Sequence, residues 1–328
     1  MRTSVLTSLL TCTFLAFSTP AHPAPPGDAA GWLKEISQAV GRESFSGDLI
    51  YSEGNQWQSL SVVQSVEDDQ VWRRTMYLSG EPRMQIRHGD TITCVHEGPH
   101  LAGMTPDVFK PFDEHLAARI PQILTNYDAS VTPVPGRIAG HEVIQIALRP
   151  KSSDRYAYQL WLDADTGLPL RSDLLDTDGA VLQRFQFARL DIGLSVPISD
   201  IVTAAEGHTV TLQHTEQSAG SPESDWWPAW LPDGFRISRY QSAASSTEVI
   251  HERMLFSDGL ATFTVFVDAV SPAGLPDMTR SWSATAAAVR HTEVAGNSYR
   301  ITVVGEMPAA IIDRIASSVT PAERIATH

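Results

Sequence analysis

The chain has 328 residues, 42% of them hydrophobic, and a formal net charge of −14. That length suffices for two domains with cores of their own, and the acidic balance argues against non-specific nucleic-acid binding. Two cysteines, Cys12 and Cys94, leave no disulfide framework if the first is removed with a leader.

The first residues read as a secretory signal peptide over 1–21. Arg2 is the positive start, Val5 to Phe17 is a short apolar run, and Thr19-Pro20-Ala21 is a small-x-small cleavage site. The run falls short of the roughly 20 apolar residues a membrane span needs. Thr11 before Cys12 speaks against lipoprotein processing. The mature chain is thus predicted to be exported, without a transmembrane segment.

After a Pro/Ala/Gly-rich leader, Asp28 begins a helix whose Trp32, Ile36 and Val40 share one stripe, with Gly41 as its end. From Phe45 the period changes to two. Phe45, Gly47, Leu49 and Tyr51 share a face, as do Leu60 with Val62, Met84 with Ile86, and Ile92 with Cys94. Polar turns at 53–55, 67–69, 79–82 and 88–90 separate these strands, which predicts an antiparallel meander. Residues 98–130 interrupt it with loop and one helix over 113–124, cut or kinked at Pro121. Strands resume at 131–138, 142–148 and 156–160.

The stretch LWLDADTGLPLRSDLLDTDGAVLQRFQF, 160–187, reads as three strands joined by two acidic turns. Asp163/Asp165 and Asp176/Asp178 have a superficial likeness to calcium loops. Their glycines come too early and the distal Glu is missing, so turn chemistry accounts for them. No metal or cofactor is expected. No nucleophile elbow, phosphate loop or dinucleotide loop occurs, and His141-Glu142 lacks the second histidine of a zinc peptidase. The chain reads as a binding protein, not an enzyme.

The domain reading that follows is a first unit over 28–204, a Ser/Gly/Pro-rich and acidic linker over 205–225, and a smaller α+β unit over 226–320. In the last, 249–256 and 261–268 pair around Ser257-Asp258-Gly259, 298–305 is a strand, and Pro308 opens a helix with Ile311, Ile312, Ile315 and Val319 as its stripe. The fold class is mostly β with α.

What the first unit offers chemically is an apolar sheet surface. Phe45, Leu49, Tyr51, Leu60, Val62, Met84, Ile86, Tyr156 and Tyr158 are the candidate wall of a lipid cavity, with Trp161, Leu174 and Phe185 as further wall or scaffold. Each buried methylene gains about 0.8 kcal/mol, so acyl chains need few polar contacts; a filled core is the competing reading. Arg73, Arg74, Arg83 and Arg87 are candidates for anionic head groups. Trp226, Trp227, Trp230 and Leu231, with Arg236 and Arg239, are candidates for a partner-binding hot spot, against a reading in which the tryptophans pack the domain joint.

The chain resembles the periplasmic RseB/MucB family. The resemblance is carried by WLKEISQAVGRESFSGDLIY, SGEPRMQIRHGDTITCV and YAYQLWLDADTGLPLRSDLLDTDGAVLQRFQF in the first unit, and by WLPDGF, ERMLFSDGLATFTVFVD and YRITVVGEMPAAIIDRIA in the second. It implies a half-open antiparallel β-barrel plugged by helices, similar to the lipoprotein carriers LolA and LolB, plus a smaller C-terminal domain. It further implies binding to the periplasmic region of a membrane anti-sigma factor (RseA/MucA-like), protection of that factor from regulated proteolysis, and displacement by lipid or lipopolysaccharide. The outcome is negative regulation of a sigma-E-type envelope stress response. A periplasmic lipoprotein or lipid carrier using the same cavity is the alternative, and a homo-oligomer is compatible with either.

Overall fold

The computed structural model describes residues 27–89, 91–96, 109–202, 208–211, 224–242, 250–270 and 276–322. The expected signal peptide and most of the expected linker lie outside the described residues.

The first unit opens with α1 (Ala29–Arg42). Asp28 caps it, accepting a 2.7 Å hydrogen bond from the Gly31 amide. Gly41 does not end the helix. The turn of chain after Arg42 is extended at Glu43, and Gly41 sits where an added Cβ would lie 3.5 Å from Glu114. Five strands follow: β1 (Phe45–Glu53), β2 (Gln56–Glu67), β3 (Gln70–Tyr77), β4 (Arg83–His88) and β5 (Thr91–His96). Then come α2 (Leu116–Asn126), which carries Pro121 inside it, and β6 (Tyr127–Ile138), β7 (His141–Pro150), β8 (Ala157–Asp163), β9 (Pro169–Leu175) and β10 (Val181–Ile192). A single turn, α3 (Ile198–Ile201), and a short strand, β11 (His208–Thr211), complete the unit.

These strands form one 11-stranded antiparallel sheet in the order β11-β5-β4-β3-β2-β1-β10-β9-β8-β7-β6. Two meanders meet where β1 pairs with β10, and the outer strands β11 and β6 are not bonded to each other. The sheet is therefore a half-open barrel. Its concave face receives α1 and α2: Leu33, Ile36, Ala39 and Val40 of the first helix and Leu116 and Ile123 of the second are buried in one core with Phe45, Leu49, Leu60, Val62, Leu160 and Phe187. Gln64 fixes the end of α1 in place. Its Nε2 donates to the carbonyls of Val40 (2.9 Å) and Glu43 (2.8 Å), two acceptors that the helix terminus leaves open.

Residues 208–211 of the expected linker are a strand of the sheet. His208–Thr211 pairs antiparallel with β5 in the register His208↔Cys94 to Thr211↔Thr91. The alternating Thr-Val-Thr supplies the β-branched residues an edge strand favours.

The second unit comprises β12 (Trp226–Pro228), β13 (Arg236–Ser242), β14 (Ile250–Ser257), β15 (Thr262–Ala269), β16 (Met278–Trp282), β17 (Thr285–Val294), β18 (Asn297–Gly305), α4 (Ala309–Ser318) and β19 (Val319–Pro321). Six strands make a sheet in the order β13-β14-β15-β18-β17-β16, while β12 pairs with β19. The helix presses Ile312, Ile315 and Ala316 onto the sheet, with Val319 following in β19, and the core is separate from that of the first unit. The alternating Ala-rich β17, whose Ala286 and Ala288 face this helix-covered core, was not anticipated as a strand, because alanine is a poor strand signal.

Candidate functional site

The concave face is a packed interior. Phe45, Leu49, Leu60 and Val62 point into it and are buried, Tyr156 and Tyr158 are buried beside them, and Tyr51 is half-buried at the rim. Two residues just before α2, Phe109 and Phe112, fill the space between strands and helices. Phe109 meets Phe45 edge-on at 5.9 Å and Phe185 at 5.8 Å, and Phe112 meets Tyr158 at 5.3 Å. Such edge-to-face pairs are each worth roughly 1 kcal/mol beyond the area they bury. Burial pushes the Tyr158 and Tyr51 hydroxyls well above the ordinary tyrosine range. Leu174 and Phe185 belong to the same core.

Three expected wall residues lie on the other face. Register places Leu60 opposite Tyr77 and Val62 opposite Thr75, then Thr75 opposite Gln85 and Arg73 opposite Arg87. The inward residues of β4 are therefore Arg83, Gln85 and Arg87, and Met84 and Ile86 point outward with Met76 and Arg74. Spacing within one strand pairs Met84 with Ile86, but it cannot say which face they share. Trp161 alternates outward in the same way, and the Arg171 guanidinium lies 4.0 Å from its ring centre.

The four arginines separate accordingly. Arg73 and Arg87 are inward and buried, at 4% and 5% exposure. Arg73 donates from Nε to Gln64 Oε1 at 2.7 Å and stands 4.5 Å from the Phe109 ring centre. Arg87 donates to Glu114 Oε1 at 2.5 Å. Both thus grip the segment that leads into α2. Arg74 is on the outer face, where it donates to the Asp200 carbonyl and pins α3 across the sheet. Arg83 is half-exposed at the rim, 3.6 Å from Glu81 and over the Tyr77 ring. It lines a shallow cleft of about 370 Å³ with Trp57, Gln58 and Tyr77.

The tryptophan cluster packs onto the second unit's own core, not between the two units. Trp226 is buried, Trp227 meets Phe256 edge-on at 5.5 Å, and Trp230 lies beneath the Arg314 guanidinium at 3.7 Å. Leu231 is half-buried against the same core. Arg236 is exposed and Arg239 half-exposed on the edge strand β13.

The acidic turns are accounted for by their own backbones. Asp163 Oδ1 accepts from the amides of Asp165 (3.1 Å) and Thr166 (2.8 Å), and Asp176 Oδ1 from those of Asp178 (2.9 Å) and Ala180 (2.7 Å). His141 lies 3.0 Å from Asp163 Oδ2 and 3.2 Å from the Leu190 carbonyl, in a structural setting.

The junction between the two units is the part that sequence reasoning did not reach. The β14–β15 turn enters the first unit beside α2. Asp258 Oδ2 accepts from Arg155 Nη1 at 2.7 Å and from the Tyr127 hydroxyl at 3.3 Å, while Oδ1 accepts from the amides of Leu260 (2.9 Å) and Ala261 (2.8 Å). The ion pair is sealed, with side chains 1% and 0% exposed. Burial pushes the Asp258 carboxyl up against the pull of the two amides and Arg155, and burial beside Asp258 pushes the Tyr127 hydroxyl up. Gln122 donates to the carbonyls of Gly234 and Ser257, Arg119 to that of Gly259, and Asn126 to that of Asp258. Leu260 completes the first unit's core. Asp258 was visible only as a turn residue, and nothing around Arg155 marks it from sequence.

Fold and junction together define a two-domain protein with a helix-plugged, half-open barrel followed by a smaller α+β domain. The chain belongs to the MucB/RseB family: residues 28–205 match the model of the MucB/RseB N-terminal domain and residues 220–320 that of the C-terminal domain. It is 29% identical to the sigma factor AlgU regulatory protein MucB of Pseudomonas aeruginosa over 96% of this chain and 97% of that one. It is 34% identical to the sigma-E factor regulatory protein RseB of Haemophilus influenzae over 88% and 89%. Among solved structures it is similar to MucB in complex with MucA(peri) (TM-score 0.72, 28% identity, 90% of this chain and 100% of that one). It is likewise similar to the Pseudomonas aeruginosa MucA/MucB complex (TM-score 0.73, 27% identity, 90% and 99%).

Proposed function

We propose that this chain is a periplasmic negative regulator that binds the periplasmic region of a membrane anti-sigma factor, shields it from regulated proteolysis and so holds a sigma-E-type response off. The observation that carries this reading is likeness across both domains, at near-complete coverage, to MucB structures that contain MucA. Among the described residues no helix is long and apolar enough to cross a membrane, which is compatible with a partner that supplies the anchor.

Lipid sensing is the finer part of the proposal. Acyl chains would be received on the concave face lined by Phe45, Leu49, Leu60, Val62 and Tyr158, with Arg73 and Arg87 as the inward cations. That face is filled in this arrangement, so Phe109 and Phe112 must move for lipid to enter. Lipid releases the partner only by binding better to the free or rearranged protein than to the complex.

The decisive experiment is limited proteolysis of the partner's periplasmic fragment by its regulated protease at saturating concentrations of this protein, with and without lipid A. Protection that lipid A removes is the expected result. Unchanged cleavage at saturation overturns the reading.

A further inference from the structure

Each unit has its own core, and what joins them is mainly polar. Across the junction run the Arg155–Asp258 pair, the Tyr127–Asp258 bond, and side-chain donations from Arg119, Gln122, Asn126 and Arg155 to backbone carbonyls of the second unit; away from the hairpin tip, Ser283 donates to the Leu182 carbonyl and Gln183 to Glu306. Apolar contributions to the first unit's core from across the junction are Leu260 and Ala284. Interfaces of this polar kind permit relative domain motion unless something specific holds them. We infer that the β14–β15 hairpin tip is a releasable latch: with Asp258 seated against Arg155 the two units are held in one arrangement, and with the tip withdrawn they move as separate folded bodies.

The physics of a buried ion pair gives the latch its two states. Burying both charges costs hydration that their attraction only partly offsets, so withdrawing them together into water is affordable. Removing Arg155 while Asp258 stays buried is not, because an uncompensated carboxylate then remains at the interface, whereas removing Asp258 leaves Arg155 paired with Asp154. The geometry also makes docking all-or-none. The same carboxylate that meets Arg155 also fixes its own turn through Leu260 and Ala261, so the tip arrives preformed. Within the first unit Arg155 is held by Asp154 at 2.7 Å, which presents its guanidinium to the incoming carboxylate, and in the docked arrangement it also donates to the Asp233 carbonyl of the second unit at 2.5 Å. This inference does not depend on the identity of any partner. A ligand that prefers either arrangement shifts the latch by its differential affinity.

The test uses the full mature chain with Cys94→Ser and spin labels on Glu142→Cys and Ala310→Cys, both exposed positions on different units. The parent is expected to give one narrow inter-label distance distribution. Arg155→Gln alone should broaden it, with a docking constant lowered on the order of 100-fold; Asp258→Asn should broaden it less, because Arg155 keeps Asp154, and the double substitution Asp258→Asn/Arg155→Gln should be narrower than Arg155→Gln. Folded single variants that keep the parent distribution overturn the latch. If a single-charge variant fails to fold, Tyr127→Phe decides the matter, since it removes one bond to the same carboxylate without stranding a charge. It should broaden the distribution by roughly a 5-fold loss in docking, and an unchanged distribution overturns the inference.

Discussion

Arg73 and Arg87 stand opposite each other across β3 and β4, both buried on the concave face, and each is committed to the segment that enters α2. Two like charges side by side are tolerated because one faces an aromatic ring and the Gln64 amide oxygen while the other meets a carboxylate.

Glu114→Gln is therefore expected to destabilise the first unit by about 2–3 kcal/mol, below the range for fully buried pairs because Glu114 is 23% exposed on its side chain. Arg87→Met combined with Glu114→Gln should lose less than the sum of the two single changes. Urea unfolding of the four proteins measures the difference.

Phe112→Ala should cost about 3–5 kcal/mol, the range for deleting a buried aromatic ring. If lipid enters where this ring packs, the variant also binds a fluorescent acyl probe more tightly than the parent despite its lower stability. Calorimetric unfolding and probe titration check the two halves independently.

Asp173 gives a pH signature. Burial raises its carboxyl, but hydrogen bonds from Arg184 and Arg171 outweigh that and hold it below the ordinary value of 3.8. A depressed folded-state pKa contributes stability that is present above the unfolded value and lost as pH falls through the folded one. Asp173→Asn should thus be less stable than the parent at pH 7, and the gap should close below about pH 4. Melting temperatures across pH 2.5–7 read this directly.

Gly234 offers a steric way to separate the units. Its φ is +85°, and an added Cβ would lie 2.0 Å from Asn126 Oδ1. Gly234→Ala is expected to weaken the junction while leaving each core intact, so that susceptibility to proteolysis between the units rises and the second unit's own melting transition is unchanged. A variant as resistant as the parent would show that Asn126 can yield without loss.

Much of this architecture was legible because periodicity reports burial. The stripe Trp32, Ile36, Val40 located α1, and the alternation from Phe45 to Tyr51 located the central strand. Alternation alone left the sense of each face open, which is why Met84 and Ile86 were expected among the inward residues and Arg73 and Arg87 were treated no differently from Arg74 and Arg83. Only cross-strand register separates them. The concave face itself is completed by Phe109 and Phe112, from a segment with no period to read. The Arg155–Asp258 pair joins residues 103 positions apart, and no local signal links a turn aspartate to an arginine in another hairpin.

The pairing of β11 with β5 has a consequence for the reach of the second unit. The chain is hydrogen-bonded into the first sheet at Thr211 and into the second unit at Ser224, where the hydroxyl bonds Glu252 and the Trp226 carbonyl, and these two points are separated by thirteen peptide units of covalent chain. Fully extended they span at most about 45 Å. An undocked C-terminal unit therefore stays at an effective concentration on the order of millimolar relative to its seat. Return is then a first-order event independent of protein concentration, and any ligand that keeps the units apart must compete against that local concentration.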